Sequence, residues 1–119
     1  MQGDRLSIVT YTYNDGDFAR NLVQEILGWG MPVLEILVVD DGSRPAFSVD
    51  GLPECRVLRL EKNRGPAKAK QIGISACRGD LILSIDCDVR PSRDWVVQAI
   101  EKASDPGAGL IGAPVLAAG

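Results

Sequence analysis

A chain of 119 residues, 45% hydrophobic and 24% charged, is the size of one domain burying roughly two thirds of its unfolded surface. That balance excludes a disordered chain. A net charge of -3 without a single histidine removes Ser-His-Asp and His-zinc chemistry, so any metal site must be built from oxygen ligands or thiolates. Cys55, Cys77 and Cys87 are odd in number and form no C-x-x-C pair, which argues against a disulfide framework or structural zinc and for a reducing compartment. The start lacks a basic segment followed by an apolar stretch, and no apolar run approaches the roughly 20 residues that span a bilayer. A soluble, cytoplasmic chain is expected.

In chain order, Leu6-Ser7-Ile8-Val9-Thr10-Tyr11 is β-branched and apolar and runs into the turn-forming Asn14-Asp15-Gly16. Phe18, Leu22, Val23, Ile26 and Leu27 recur at helical spacing, with Gly28 and Gly30 as a stop. Leu34 to Val39, interrupted only by Glu35, reads as a buried parallel strand ending in Asp40-Asp41-Gly42-Ser43. Arg56 to Leu60 alternates and suggests a strand nearer the edge. Pro66 suits the first turn of a helix whose small face is Ala67, Ala69, Ile72, Gly73 and Ala76. Leu81 to Ile85 is a buried strand ending in Asp86-Cys87-Asp88. Ser92 is an N-cap for a helix with Trp95, Val96, Ala99, Ile100 and Ala103 on one face, stopped at Asp105-Pro106-Gly107. Leu110 and Ile111 suggest a last strand, and Ala113 to Gly119 shows no closing element, so the end reads as a partial boundary.

Strands alternating with helices predict a Rossmann-like three-layer α/β/α fold with a mostly parallel sheet. Ligands of such sheets bind outside the carboxyl ends of the strands, where three polar clusters of this chain fall. In Asp86-Cys87-Asp88, a strand continuing past Ile85 would point both carboxylates to one side, toward one hard cation such as Mg²⁺ or Mn²⁺. An acidic surface loop is the alternative. Asp40-Asp41-Gly42-Ser43 is either a turn or a fixed acceptor for a base or a ribose hydroxyl. Tyr11 and Tyr13 flank Thr12 where a ring could stack on a base or pack in the core. Arg64, Lys68 and Lys70 place cations at a helix start, against the macrodipole, which suggests either a nearby anion or a solvated basic face. Neither a dinucleotide fingerprint nor a P-loop is present. Cys87 reads as a buried spacer rather than a nucleophile.

Together and in order, these segments resemble the family 2 glycosyltransferases of the GT-A fold. Thr12-Tyr13-Asn14 resembles that family's P-T-Y-N turn, with Tyr11 where the proline stands. Val38 to Ser43 resembles V-D-D-G-S, and Asn63-Arg64-Gly65 through Gly73 resembles N-x-G-x-x-x-A-R-N-x-G, with Lys70 and Gln71 replacing arginine and asparagine. Arg78-Gly79-Asp80 and the strand into Asp86-Cys87-Asp88 resemble the A-x-G-[ED] turn and D-x-D.

The resemblance implies a nucleotide-sugar-binding domain over residues 1–119, truncated before the acceptor-binding part. Thr12, Tyr13, Asp40, Lys70 and Asp86 would then bind the nucleotide, and Asp86 and Asp88 a Mn²⁺ or Mg²⁺ ion. It also implies a UDP-sugar donor, transfer with inversion to an acceptor sugar or lipid-linked glycan, and a general base beyond residue 119. Nucleic acid is not an expected partner. Homo-oligomerisation, and membrane association of a full-length parent, stay open. The rival readings are a phosphoacceptor receiver domain, whose acidic pair should follow the first strand, and a non-catalytic nucleotide-sugar-binding module.

Overall fold

In the computed structural model, which describes residues 6–52, 54–103 and 115–118, strand β1 (Leu6–Thr12) is followed by helix α1 (Gly16–Gly28) and strand β2 (Glu35–Asp40). Strand β3 (Cys55–Arg59), helix α2 (Pro66–Ala76), strand β4 (Leu81–Ile85), helix α3 (Arg93–Ala103) and strand β5 (Val115–Ala118) complete the order. The strands form one sheet in the order β3-β2-β1-β4-β5, and every pairing is parallel. This is the doubly wound α/β architecture that the alternation of elements predicts.

The apolar runs of β1, β2 and β4 are continuous because these central strands are covered on both faces. Leu6, Ile8, Ile36, Val38, Leu81, Leu83 and Ile85 meet Leu22, Val23 and Ile26 of α1 and Val96 and Ile100 of α3. Residues of opposite parity, Val9, Leu37, Val39 and Ile82, meet Ala69 of α2. At Gly73 a β-carbon would come within 2.7 Å of Val39 Cγ2 and 2.9 Å of Val9 Cγ2. Only a glycine lets the α2 backbone lie this close to the sheet. The helix faces are narrower than their spacing suggests, since Phe18 and Trp95, at 51% and 42% exposure, stay outside the core.

Ser92 caps α3 as expected, its Oγ accepting from Trp95 N at 3.0 Å. β3 is the half-exposed edge strand. Leu110, Ile111 and the stop at Asp105-Pro106-Gly107 lie outside the described residues. The stretch read as lacking a closing element contains β5 instead, which pairs with β4 from Ile82↔Val115 to Ile85↔Ala118. Val-Leu-Ala-Ala carries little strand propensity of its own, so its partner makes it a strand.

Candidate active site at the β1/β4 switch point

The sheet order reverses between β1 and β4, whose connections lead to opposite sides, and a crevice opens there at the carboxyl ends. A cavity of about 370 Å³ occupies it, lined on the β1 side by Tyr11, Thr12, Tyr13 and Asp15 and on the β4 side by Asp86, Cys87 and Asp88. Asp41, Asn63, Pro66 and Ala69 close it from the start of α2. Larger depressions occur elsewhere, at 460 and 480 Å³. The first adjoins the start of α1, the second lies at the amino-terminal edge of the sheet, and neither gathers the strand-end carboxylates.

Asp86 and Asp88 share this cavity, but not through the extended strand expected of them. β4 ends at Ile85, and Val89 N donates to Asp86 O at 2.9 Å, closing a turn around Cys87 and Asp88. Arg90 clasps that turn onto α1, donating to Cys87 O at 2.6 Å, Val89 O at 2.9 Å and Phe18 O at 3.1 Å. Asp86 is half-buried and Asp88 exposed. Asp86 Oδ1 accepts from the Tyr11 hydroxyl at 2.9 Å, and burial, foremost among several influences, raises the Tyr11 pKa so that the phenol stays a neutral donor. The Cys87 thiol donates to Asp15 Oδ2 at 3.3 Å. Burial, then the bond to Asp15 and its charge, push that thiol up to about 12, so Cys87 stays a protonated thiol at neutral pH and is a poor nucleophile.

Thr12 and Tyr13 both line the cavity, but the Thr12 hydroxyl is committed to Asp15 Oδ1, which also accepts from Tyr13 N at 2.9 Å. The Tyr13 ring is 50% exposed and available for stacking. Lys70 stands behind the wall, its Nζ 5.9 Å from the centroid of the Tyr11 ring.

Asp40 is the residue whose placement departs most from expectation. It pairs with Thr12 across β1 and β2 and shares the parity of Ile36 and Val38, so its side chain is carried to the α1 face. It is fully buried and outside the cavity lining. Oδ1 accepts from Ser43 N at 2.9 Å, and Oδ2 from Phe47 N at 2.8 Å and Arg59 NH1 at 2.6 Å. Burial raises this carboxyl, but the bonds from Phe47, Ser43 and Arg59 together outweigh it and hold the pKa below the usual range. Both oxygens are engaged inside the chain, by the 43–47 loop and by Arg59 of β3, on the face away from the cavity.

Its neighbour Asp41 turns to the other side and lines the cavity. Its carboxylate accepts from Arg64 N at 2.7 Å, Asn63 Nδ2 at 2.9 Å and Gly65 N at 3.0 Å. The anion implied by cations at the α2 start is therefore supplied, at least in part, by the chain itself. Gly42, directly after Asp41, has φ +80°, and a β-carbon there would sit 2.7 Å from Asn63 N, so the loop closes only with glycine. Of the contacts that sequence reasoning did not find, Asp15 and Asp41 hold the two loops that frame the cavity. Their signal was present only as turn-forming dipeptides.

No three histidine, cysteine or acidic side chains converge on one point among the described residues. Asp86 Oδ2 and the Asp88 carboxylate are the hard donors left at the cavity, and a Mg²⁺ or Mn²⁺ ion there would complete its shell with water and ligand oxygens. Two carboxylate donors are of the kind that suits such an ion.

A crevice at the switch point of a β3-β2-β1-β4-β5 sheet, rimmed by strand-end carboxylates, defines a doubly wound α/β ligand-binding domain and excludes the 2-1-3-4-5 order of receiver-type folds. The chain matches the model of Glycosyl transferase family 2 over residues 7–118 and belongs to that family. It is 32% identical over 110 residues to the pre-mycofactocin glycosyltransferase of Mycobacterium tuberculosis, covering 89% of this chain and 22% of that protein. To the succinoglycan biosynthesis protein ExoO of Rhizobium meliloti it is 36% identical over 109 residues, covering 87% and 31%. The chain thus spans less than a third of either relative.

Two solved structures share its fold. The mannosyltransferase PcManGT of Pyrobaculum calidifontis, in complex with GDP-Man and Mn²⁺, gives a TM-score of 0.69 at 24% identity, over 86% of this chain and 33% of that one. TarS 1-349 of S. aureus, in complex with UDP-GlcNAc, gives 0.66 at 22% identity, over 82% and 30%.

Proposed function

We propose that the β1/β4 cavity receives the nucleoside diphosphate of a sugar donor, with UDP the first candidate, together with Mn²⁺ or Mg²⁺ held by Asp86 and Asp88. The observation that carries this reading is the charge of the cavity. Asp15, Asp41, Asp86 and Asp88 all line it, so a bare diphosphate would meet like charge. Asp15 and Asp41 are engaged by internal hydrogen-bond donors, whereas Asp88 and one oxygen of Asp86 are left for a cation between protein and phosphate. The relatives bound to GDP-Man with Mn²⁺ and to UDP-GlcNAc support the ligand class. The exposed Tyr13 ring is the surface on which a base would stack, and Lys70 the nearby cation.

The cation would stabilise charge growing on the departing diphosphate. The chain's own residues bind and orient the donor: Asp41 fixes the α2 start, Asp15 fixes the β1 turn, and Arg90 fixes the turn bearing Asp88. Transfer to a sugar or lipid-linked glycan acceptor, with inversion, is the reaction we propose for the whole protein. The general base and acceptor pocket would come from sequence corresponding to the remaining two thirds or more of the relatives. No described helix is long and apolar enough to cross a membrane, and the three cysteines are free thiols.

Calorimetric titration of UDP, GDP, CDP and dTDP with and without Mn²⁺ tests the reading. At least one diphosphate should bind more tightly with the metal, and Asp88→Asn should abolish that gain. Equal affinity in both conditions for the unmodified chain would overturn it.

A further inference from the structure

Tyr11 joins three elements at one point. From β1 its side chain faces the α2 side of the sheet, among residues packed on Val9, Leu37 and Ile82. Its hydroxyl donates to Asp86 Oδ1 at 2.9 Å and lies 3.1 Å from Ser84 Oγ, both on or just beyond β4. From α2, Lys70 sets its ammonium 5.9 Å from the ring centroid, within cation–π range. A phenol pinned at its hydroxyl and flanked at its ring by a cation has little freedom to swing away.

Asp86 needs that anchor. It is the first residue after β4, it opens a turn, and Tyr11 supplies the hydrogen bond recorded to its carboxylate. Without that bond the half-buried side chain would sample several rotamers. With it, Oδ1 carries the phenol's hydrogen bond and Oδ2 is the less engaged oxygen of a carboxylate that lines the cavity. Divalent ions of the Mg²⁺ type demand near-ideal ligand placement, and hydrogen bonds to ligating groups from outside the coordination shell set that placement.

We propose that Tyr11 is a positioning residue whose hydroxyl locks Asp86 in one rotamer and so sets its placement as a ligand to the cation. This deepens the donor-site reading and rests on its assignment of Asp86 to the metal. A phenol that served packing alone would contribute equally to nucleotide binding with and without metal.

The test is calorimetry of UDP binding to the 119-residue chain, with and without Mn²⁺, for the unmodified protein, Tyr11→Phe, Asp86→Asn and the double variant. Circular dichroism and urea midpoints establish that each is folded, and Phe keeps the ring beneath Lys70. Tyr11→Phe should cut the Mn²⁺-dependent gain in affinity about tenfold, the scale of losing a hydrogen bond to a metal ligand; the gain is read as the ratio of affinities with and without Mn²⁺, so that any direct effect of the cavity-lining ring on the nucleotide cancels. In the Asp86→Asn background the same substitution should change nothing further. If the unmodified chain shows no Mn²⁺-dependent gain, the donor-site reading falls and this inference with it. If the gain is present but insensitive to Tyr11→Phe, or the two substitutions act independently, only the role of Tyr11 is overturned.

Discussion

Asp40→Ala separates an anchoring carboxylate from a base-binding one. In the folded chain it removes the acceptor of Ser43 N at 2.9 Å, Phe47 N at 2.8 Å and Arg59 NH1 at 2.6 Å. The Arg59 side chain is 41% exposed and rehydrates when released, so its share lies in the range of surface pairs, about 0 to 1 kcal/mol. The two backbone donors, one of them on buried Ser43, are left without an acceptor at about 1 to 2 kcal/mol each. The total is about 3 kcal/mol, large against a usual domain stability of about 5 to 15 kcal/mol yet compatible with folding. With a urea slope of about 1 to 3 kcal/mol per molar, the midpoint should fall by about 1.5 M. Calorimetry on the folded variant should find UDP affinity within about threefold of the unmodified chain, since Asp40 is outside the cavity lining and donates nothing to it. A midpoint unmoved by Asp40→Ala, with UDP affinity falling tenfold or more, would refute this reasoning and return Asp40 to the base.

Thr10 Oγ1 is buried without a hydrogen-bond partner, so Thr10→Val should raise stability by about 1 kcal/mol; a lower urea midpoint would show that the hydroxyl is satisfied after all. Glu35 and Asp40 both have folded pKa values below their ordinary ones. For Glu35, burial raises the carboxyl, and bonds from Ser7, Arg78 N and Arg56 outweigh it. Such groups contribute stability that is fully present above the unfolded values near pH 4 and is lost as pH falls through the folded values. The urea midpoint should therefore drop between pH 5 and pH 3, and less so in Glu35→Gln; equal slopes for the two proteins would overturn the assignment. Burial pushes the Cys77 and Cys87 thiols to about 11 and about 12. Native-state alkylation at pH 8, followed by mass spectrometry, should find both at least about a hundredfold slower than a free thiol; rapid labelling of Cys87 would put it within reach of solvent and base.

The layers of the fold were legible because their signals are local. Continuous apolar runs marked β1, β2 and β4, helical spacing marked the buried stripe Leu22, Val23 and Ile26, and Ser92 announced α3. What stayed hidden depends on partners far away in sequence. β5 is a strand because β4 is beside it. The small face of α2 reduces to Ala69 and Gly73, because contact with Val9 and Val39 selects two positions from a longer stripe. Asp40-Asp41 reads as a pair in the sequence. The pleat separates them, one carboxylate going to the α1 face and the 43–47 loop, the other to the α2 start. Continuing the parity of Ile36 and Val38 by one step would have assigned Asp40 inward, but only once those residues were known to face α1.

The same logic explains how the cavity keeps free donors amid so many charges. A carboxylate at a strand end can either hold a loop or meet a ligand, and four of the five here are spoken for in whole or part: Asp40 by the 43–47 loop, Asp41 by the α2 start, Asp15 by the β1 turn, and one oxygen of Asp86 by Tyr11. Each commitment fixes backbone around the crevice. Asp88 is the exception, exposed on a turn held by Arg90 through main-chain carbonyls rather than through the carboxylate itself. A ligand-binding acid needs a rigid backbone and an unspent side chain, and in this cavity that combination occurs at Asp88 and, through one oxygen, at Asp86. The division of labour also predicts where substitutions diverge. Changes at Asp15, Asp40 and Asp41 should register first in stability, whereas Asp88→Asn should leave the urea midpoint within about 0.5 kcal/mol equivalent and register in metal-dependent nucleotide affinity alone.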